Sequence, residues 1–105
     1  MVDFDDKPPT LRCSGDEDRN TQGFRRQALT RALRAQSDVT VDLSALVFAD
    51  PSLMIDLAVL ARRLRVHGRA IMLCGAQPQI KTLIEAVGLH RLPGVRMQGP
   101  ATALA

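Results

Sequence analysis

The sequence predicts a small α/β domain built on a central, mostly parallel β-sheet. Short segments rich in β-branched and aliphatic residues alternate along the chain with segments whose apolar residues recur every three or four positions. Strands that alternate with helices in this way form right-handed βαβ units with parallel strands. The length of 105 residues and the 46% hydrophobic content suffice for one domain with one core.

Both ends of the chain are expected to lie outside the folded domain. Residues 1–9 (MVDFDDKPP) are acidic and contain two adjacent prolines, so we expect a flexible N-terminal segment. We also expect residues 99–105 to form a flexible C-terminal tail. The domain itself is then expected to span residues 10–98.

The first half of the domain is expected to contain two strands with a helix between them. Residues 10–14 form a short strand candidate, closed by the turn-like run of residues 15–20. Thr21 can cap a helix that extends to about residue 35, and residues 39–48 then alternate as a central strand. The apolar stripe of the helix is expected to contain Phe24, Ala28, Leu29, Ala32 and Leu33, while Arg25, Arg26 and Arg31 face elsewhere.

The second half is expected to continue the alternation. A helix over about residues 51–66 ends at Gly68 and is followed by a buried strand at 69–74. After a loop at 75–78, a third helix over 79–87 ends at Gly88, and residues 95–97 can add a short edge strand. The apolar stripe of the helix over 51–66 consists of Leu53, Leu57, Leu60, Ala61 and Leu64.

The turn between the central strand and the second helix is the most informative local feature. In open α/β sheets the functional surface lies where the carboxyl ends of strands meet helix N-termini. Asp50 is a good N-cap and Pro51 suits the first helical position. Ser52 follows in the first turn, where a phosphate would meet the positive end of the helix dipole. The same three residues also suffice as a plain helix start, and the sequence leaves both interpretations open.

Charge and composition argue against several function classes. The net charge of +3 is unevenly placed, with −4 in residues 1–18 and +7 in the rest, which is not typical of a nucleic-acid binder. The chain has neither a leader-like start nor the roughly 18 consecutive apolar residues of a membrane span, so we expect a cytoplasmic protein without membrane insertion. Phosphate-binding glycine motifs and metal-ligand spacings do not occur, and we expect no cofactor, no metal and no enzyme activity.

Individual reactive side chains have ordinary explanations. Cys13 and Cys74 are expected in different strands without CxxC spacing, as buried free thiols. His67 and His90 stand near helix ends and are expected at the surface. Asp42 has apolar neighbours and is expected to be a paired, partly buried acid, with no base or nucleophile beside it.

Three segments together resemble the STAS domain of anti-sigma factor antagonists. They are VTVDLSALVFADPSLMIDLAVLARRLRVHGRAIMLCG from residue 39, IKTLIEAVGLHRL from residue 80, and the early Gly15-Asp16-Glu17-Asp18. The family has a D-L-S strand that leads to an Asp-Ser-Ser-Gly turn and a helix, followed by a glycine-headed strand and a helix that ends in Gly-Leu. The order and spacing of these motifs, over about residues 10–97, carry the resemblance.

The resemblance implies both a fold and a function. The fold is a STAS-like sheet with a mixed N-terminal edge, packed by about three to four helices. The function is to bind an anti-sigma factor with serine kinase activity and so free a sigma factor, until phosphorylation of the turn serine ends the binding. By position, Ser52 matches the phosphorylated serine, Asp50 the turn aspartate and Asp18 an acid near the partner-binding surface. Pro51 and Leu53 complete the expected partner-binding turn.

Two residues of the turn depart from the family pattern. Pro51 replaces the first serine, and Leu53 replaces the glycine that lets a partner approach the backbone closely. The side chain of Leu53 either obstructs a kinase or packs into the core. The alternative function is a non-phosphorylated accessory subunit of an ABC-type lipid transporter, or another scaffold, in which the turn stays unmodified. A homodimer is also compatible with the sequence.

Overall fold

The computed structural model describes residues 1–98 and contains one five-stranded sheet. The strands follow one another across the sheet in chain order. Two single-turn 3-10 helices, Arg19–Thr21 and Leu89–Arg91, join longer elements. The strands are β1 (Val2–Asp6), β2 (Pro9–Glu17), β3 (Val39–Ala49), β4 (Ile71–Cys74) and β5 (Val95–Met97), and the helices are α1 (Gln22–Leu33), α2 (Pro51–Val66) and α3 (Pro78–Val87).

The sheet is parallel except at its N-terminal edge, where β1 runs antiparallel to β2. Strand β3 pairs with β4 only from Val39 to Asp42, while its pairing with β2 extends to Ala49. Beyond Asp42, two side-chain amides form hydrogen bonds to β3 in place of a neighbouring strand. Gln77 Nε2 donates to the carbonyl of Ser44 (3.1 Å) and Gln79 Nε2 donates to the carbonyl of Val47 (3.0 Å).

The core lies between the helices and one face of the sheet. Side chains that point to this face, such as Leu11, Val41 and Leu73, are fully buried. The alternate side chains are more exposed, and Arg12 and Asp42 lie side by side there in the β2–β3 register. The domain therefore has two layers, with the second sheet face open. None of the helices within residues 1–98 is long and apolar enough to cross a membrane.

The N-terminal segment differs from the expectation. Residues 1–9 are predicted to be flexible, but Val2–Asp6 forms β1, and Val2 and Phe4 are buried in the core. In VDFDD two apolar residues alternate with aspartates, which is the period of a half-buried strand and outweighs the acidic composition. Strand β2 also runs to Glu17 and takes in part of the expected turn. The expected tail at 99–105 lies outside the described residues.

Helix α1 exists as predicted, but its buried face is rotated. Ala28 and Ala32 are buried as expected, whereas Phe24 is 84% exposed and Arg25 only 1% exposed. The reason is that the arginine pairs with the buried carboxylate of Glu17 and the half-buried carboxylate of Asp56. Thr21 precedes the helix without a side-chain cap to it, and instead its hydroxyl closes a reciprocal cap with Asp18 around the 3-10 turn.

The second half agrees closely with the prediction. Helix α2 spans the expected residues, and all five residues of its predicted stripe are buried. Gly68 and Gly88 follow α2 and α3 with positive φ angles (75° and 77°), the conformation that glycine adopts most readily. Strand β4 begins two residues later than expected, and β5 is present at 95–97.

Candidate functional site at the start of helix α2

The predicted turn is a capped helix start at the carboxyl end of β3. Asp50 has an extended backbone (φ −93°, ψ 173°) and its Oδ1 accepts the backbone N–H of Ser52 at 2.8 Å. Pro51 occupies the first helical position, where its missing N–H leaves no donor unpaired. The sequence-based assignment of Asp50 as N-cap is confirmed.

The hydroxyl of Ser52 is held by two charged side chains. It donates a hydrogen bond to Asp50 Oδ1 and accepts one from Arg25 Nη2 at 2.7 Å. The hydrogen bond from this hydroxyl holds the pKa of Asp50 below its ordinary value, and the backbone N–H and the nearby Arg19 act in the same direction. Ser52 is half-buried, so its hydroxyl is oriented by the protein and still borders the surface.

Arg25 is the centre of the site. Its guanidinium is completely buried and donates through every nitrogen. Nε bonds Asp56 Oδ2 at 2.8 Å, while Nη1 bonds Glu17 Oε1 at 3.0 Å and the Asp18 carbonyl at 3.2 Å. Buried arginine requires such compensation, since an unpaired charge in the interior is very costly. Arg25 thus joins the end of β2, helix α1 and the start of α2.

Sequence reasoning did not find this arginine or its two carboxylate partners. Arg25 was expected on a solvent-facing side of α1, and Asp56 outside the apolar stripe of α2. A signal exists in the spacing, because position 25 lies three residues before Ala28 and seven before Ala32, on one helix face. Asp18 was predicted to lie near the site. Its backbone carbonyl contacts the site by accepting a hydrogen bond from Arg25.

The expectation that Leu53 contributes to a partner surface needs correction. Its side chain is 0% exposed and belongs to the core. The residue after the serine is therefore a core anchor for the first turn of α2, and it presents no side chain to a partner. Of the expected partner-binding residues, Pro51 is exposed, and Asp18, Asp50 and Ser52 are half-buried.

Exposed apolar side chains flank the turn in the sequence. Large apolar residues are seldom exposed in groups on a protein without a binding role. Phe48 is 51% exposed two residues before Asp50, and Ile55 is 62% exposed three residues after Ser52. Phe24, next to Arg25 in α1, is the most exposed of them.

The other residues singled out from the sequence lie away from this turn. The Asp42 carboxylate accepts the hydroxyl of Ser44 at 2.7 Å, a bond that lowers the pKa of Asp42. Cys13 is a buried free thiol as predicted, and burial raises its pKa to about 12. Cys74 is only half-buried. His67 is exposed as expected, whereas His90 is half-buried.

Solved structures with the same fold include two states of one regulator. The anti-sigma factor antagonist SpoIIAA in its unphosphorylated form matches with a TM-score of 0.76 and 17% identity, over 99% of this chain and 93% of that one. The phosphorylated form of the Bacillus cell fate determinant SpoIIAA matches with a TM-score of 0.66 and 15% identity, over 99% and 96%. At these identities the similarity shows the fold.

A membrane transporter contains the same fold as one part of its chain. The murine Solute Carrier 26 family member A9 anion transporter, in its inward-facing state, matches with a TM-score of 0.67 and 16% identity, over 91% of this chain and 17% of that one. No curated protein sequence matches the chain significantly. The family model described as "Mlab, STAS domain" matches residues 1–97. A mostly parallel sheet with an antiparallel N-terminal edge, a capped serine turn and this match over nearly all of the sequence lead to one conclusion: the chain belongs to the STAS domain family.

Proposed function

We propose that the protein is a cytoplasmic anti-sigma factor antagonist, which binds an anti-sigma factor with serine kinase activity and thereby releases a sigma factor. One observation carries the proposal: the hydroxyl of Ser52, at the start of α2, is oriented by Asp50 and Arg25 while it borders the surface. The fold similarity to the unphosphorylated and phosphorylated forms of SpoIIAA supports it. The domain acts by binding and has no reaction of its own to catalyse.

Partner binding uses the exposed groups around the turn. Phe48 and Ile55 offer apolar contact area on either side of Ser52, and Pro51 is exposed between them. Apolar anchors that become fully desolvated carry most of the energy of an interface. Leu53 is 0% exposed as a whole residue, so the partner contacts its exposed and half-buried neighbours in the turn.

Phosphorylation of Ser52 ends the binding. Ser52 Oγ forms a new O–P bond with the γ-phosphorus of ATP, the bond from that phosphorus to the β–γ bridging oxygen breaks, and ADP leaves. The proton of the hydroxyl passes to a carboxylate, and Asp50 already accepts a hydrogen bond from it. The phosphorylated side chain carries nearly two negative charges among apolar contact residues. A partner whose binding surface fits the neutral hydroxyl cannot accommodate these charges.

The test combines a kinase assay with a binding assay. Incubation with the candidate anti-sigma kinase and ATP should add one phosphate to Ser52, and Ser52→Ala should abolish the gain while Ser44→Ala should not. Ser52→Asp should weaken binding to the kinase, and Ser37→Asp, which adds the same charge at an exposed loop serine, should leave binding unchanged. Binding of Ser52→Asp as tight as that of the original protein would contradict the phosphorylation switch.

The second candidate function is an accessory subunit of an ABC-type lipid transporter. The observation that favours it is that both hydrogen bonds of the Ser52 hydroxyl are used within the domain, as expected of a permanent helix start. The presence of the fold in an anion transporter is consistent with it. Genes for a permease and an ATPase beside this gene, and stable co-purification with those two subunits, would favour this function. Genes for a sigma factor and a kinase would favour the first.

A further inference from the structure

We infer that Arg25 is a counter-ion built into the protein for a phosphoryl group on Ser52. The inference rests on the proposed phosphorylation and identifies what holds the modified side chain. The phosphate then occupies an anion site inside this domain, in addition to any surface feature that the partner recognises.

The geometry places a buried cation at the modification site before any phosphate arrives. Arg25 Nη2 lies 2.7 Å from Ser52 Oγ, and its guanidinium is 0% exposed. An arginine at this distance can donate to phosphoryl oxygens on the same side chain with little movement. Nε and Nη1 stay committed to Asp56 and Glu17, so Nη2 is the nitrogen that turns to the phosphate.

The surrounding charges make this arginine necessary. Asp50 contacts the hydroxyl directly, and Glu17 and Asp56 lie on the far side of the guanidinium. A phosphate would therefore enter a region rich in carboxylates, where like charges repel it. Within residues 1–98, Arg25 is the cationic side chain in hydrogen-bond contact with Ser52.

Phosphorylation also changes the cap of α2. A phosphorylated Ser52 has no hydroxyl proton, so its hydrogen bond to Asp50 is lost and the two anions repel each other. The bond from the Ser52 backbone N–H to Asp50 Oδ1 does not involve the hydroxyl and persists. The phosphoryl group consequently turns away from Asp50 and toward Nη2 of Arg25, while the bond from Nη1 to Glu17 holds the guanidinium in place.

The experiment uses the full chain with phosphoserine incorporated at position 52 during synthesis, with no kinase or partner present. The pKa of the second phosphate ionisation, measured by ³¹P NMR, should be higher by about one pH unit when Arg25 is replaced, because a cation in contact favours the dianion. The variant is Arg25→Met combined with Glu17→Gln, which removes the buried carboxylate that would otherwise keep only the N-terminal ammonium group as its charged partner. Arg26→Met, an exposed neighbour in α1, is the matched control and should leave the phosphate pKa unchanged.

A second measurement needs no variant. In the phosphorylated native chain, the ¹⁵N resonances of the Arg25 guanidinium should shift with pH along the phosphate titration, and those of Arg26 should not. The inference would be overturned by a phosphate pKa that is equal in the native chain, the double variant and Arg26→Met. Arg25 resonances that do not shift along the phosphate titration would overturn it as well. Either result would leave the partner and kinase assays unaffected, so failure of this inference is distinguishable from failure of the proposed function.

Discussion

At the scale of single residues, Arg25 combines two roles in one side chain. It neutralises Glu17 inside the protein and it bonds the hydroxyl that we propose is phosphorylated. A buried ion pair contributes little net stability compared with an apolar replacement, but removal of one partner leaves the other charge uncompensated. The structural cost of changing Arg25 should therefore depend on what is done to Glu17.

Arg25→Met alone should lower the free energy of unfolding by about 3–5 kcal/mol, because Glu17 stays buried with only the N-terminal ammonium group (2.7 Å) as its charged partner. Adding Glu17→Gln should restore a large part of that loss. Urea denaturation followed by circular dichroism measures both, and Arg26→Met should change stability by less than about 0.5 kcal/mol. Equal stabilities for the single and double variants would show that the buried charge of Glu17 is not the source of the loss.

The hydrogen bond between Ser52 and Asp50 should be visible in the pH dependence of stability. Because the pKa of Asp50 is lower in the folded protein than its ordinary value of 3.8, this group stabilises the fold above that pH. The stabilisation is lost as the pH falls through the folded-state pKa. Ser52→Ala removes the largest cause of the shift, so the Asp50 pKa should rise in carboxyl ¹³C NMR titrations and the acid-induced loss of stability should shrink. Ser37→Ala serves as the control, and an Asp50 titration identical in both variants would contradict the assignment.

At the scale of secondary-structure elements, α2 was predicted closely and α1 only in part. The stripe of α2 consists of aliphatic residues, and periodicity alone identifies it. In α1 hydrophobicity favours Phe24 over Arg25, but the arginine's partners lie 8 and 31 residues away in sequence, so no local pattern shows that it can be buried. The predicted flexible N-terminus has the same origin, since five residues of β1 are stable only against β2 and α1.

The position of the Leu53 side chain decides whether the leucine that replaces the family glycine obstructs a partner. Leu53→Ala should reduce the free energy of unfolding by about 2–5 kcal/mol, as expected for a fully buried leucine. Ile55→Ala, two positions further along α2, removes an exposed side chain and should change stability by less than about 0.5 kcal/mol. Chemical denaturation tests the pair, and a neutral Leu53→Ala would mean that this side chain is at the surface.

At the scale of the whole molecule, the two-layer arrangement places the turn at the carboxyl end of β3, where helix α2 begins. Alternation of strands and helices was enough to predict the parallel sheet and the position of the turn at residues 50–52 at the carboxyl end of β3. It could not predict which apolar side chains remain exposed there. The sequence places Phe48 in the central strand, and the structure shows it 51% exposed, beyond the point at Asp42 where pairing with β4 ends.

Phe48→Ser should weaken binding to the partner by about tenfold or more, the loss expected for an interface anchor, without lowering stability by more than about 0.5 kcal/mol. Isothermal titration calorimetry with the partner and thermal unfolding of the free domain measure the two quantities. Val87→Ser, an exposed apolar residue at the end of α3, is the matched control and should bind normally. Unchanged affinity for Phe48→Ser would place the interface elsewhere on the domain.

The two glutamine amides that bond the carbonyls of Ser44 and Val47 have a further consequence, for behaviour at high concentration. A strand edge with unused carbonyl groups is a template on which another chain can add a strand, and such addition leads to aggregation. Gln77 and Gln79 occupy two of these acceptors, so an added strand would first have to displace their side-chain hydrogen bonds. These two hydrogen bonds should therefore lower the tendency of the protein to aggregate through the edge of β3 beyond Asp42.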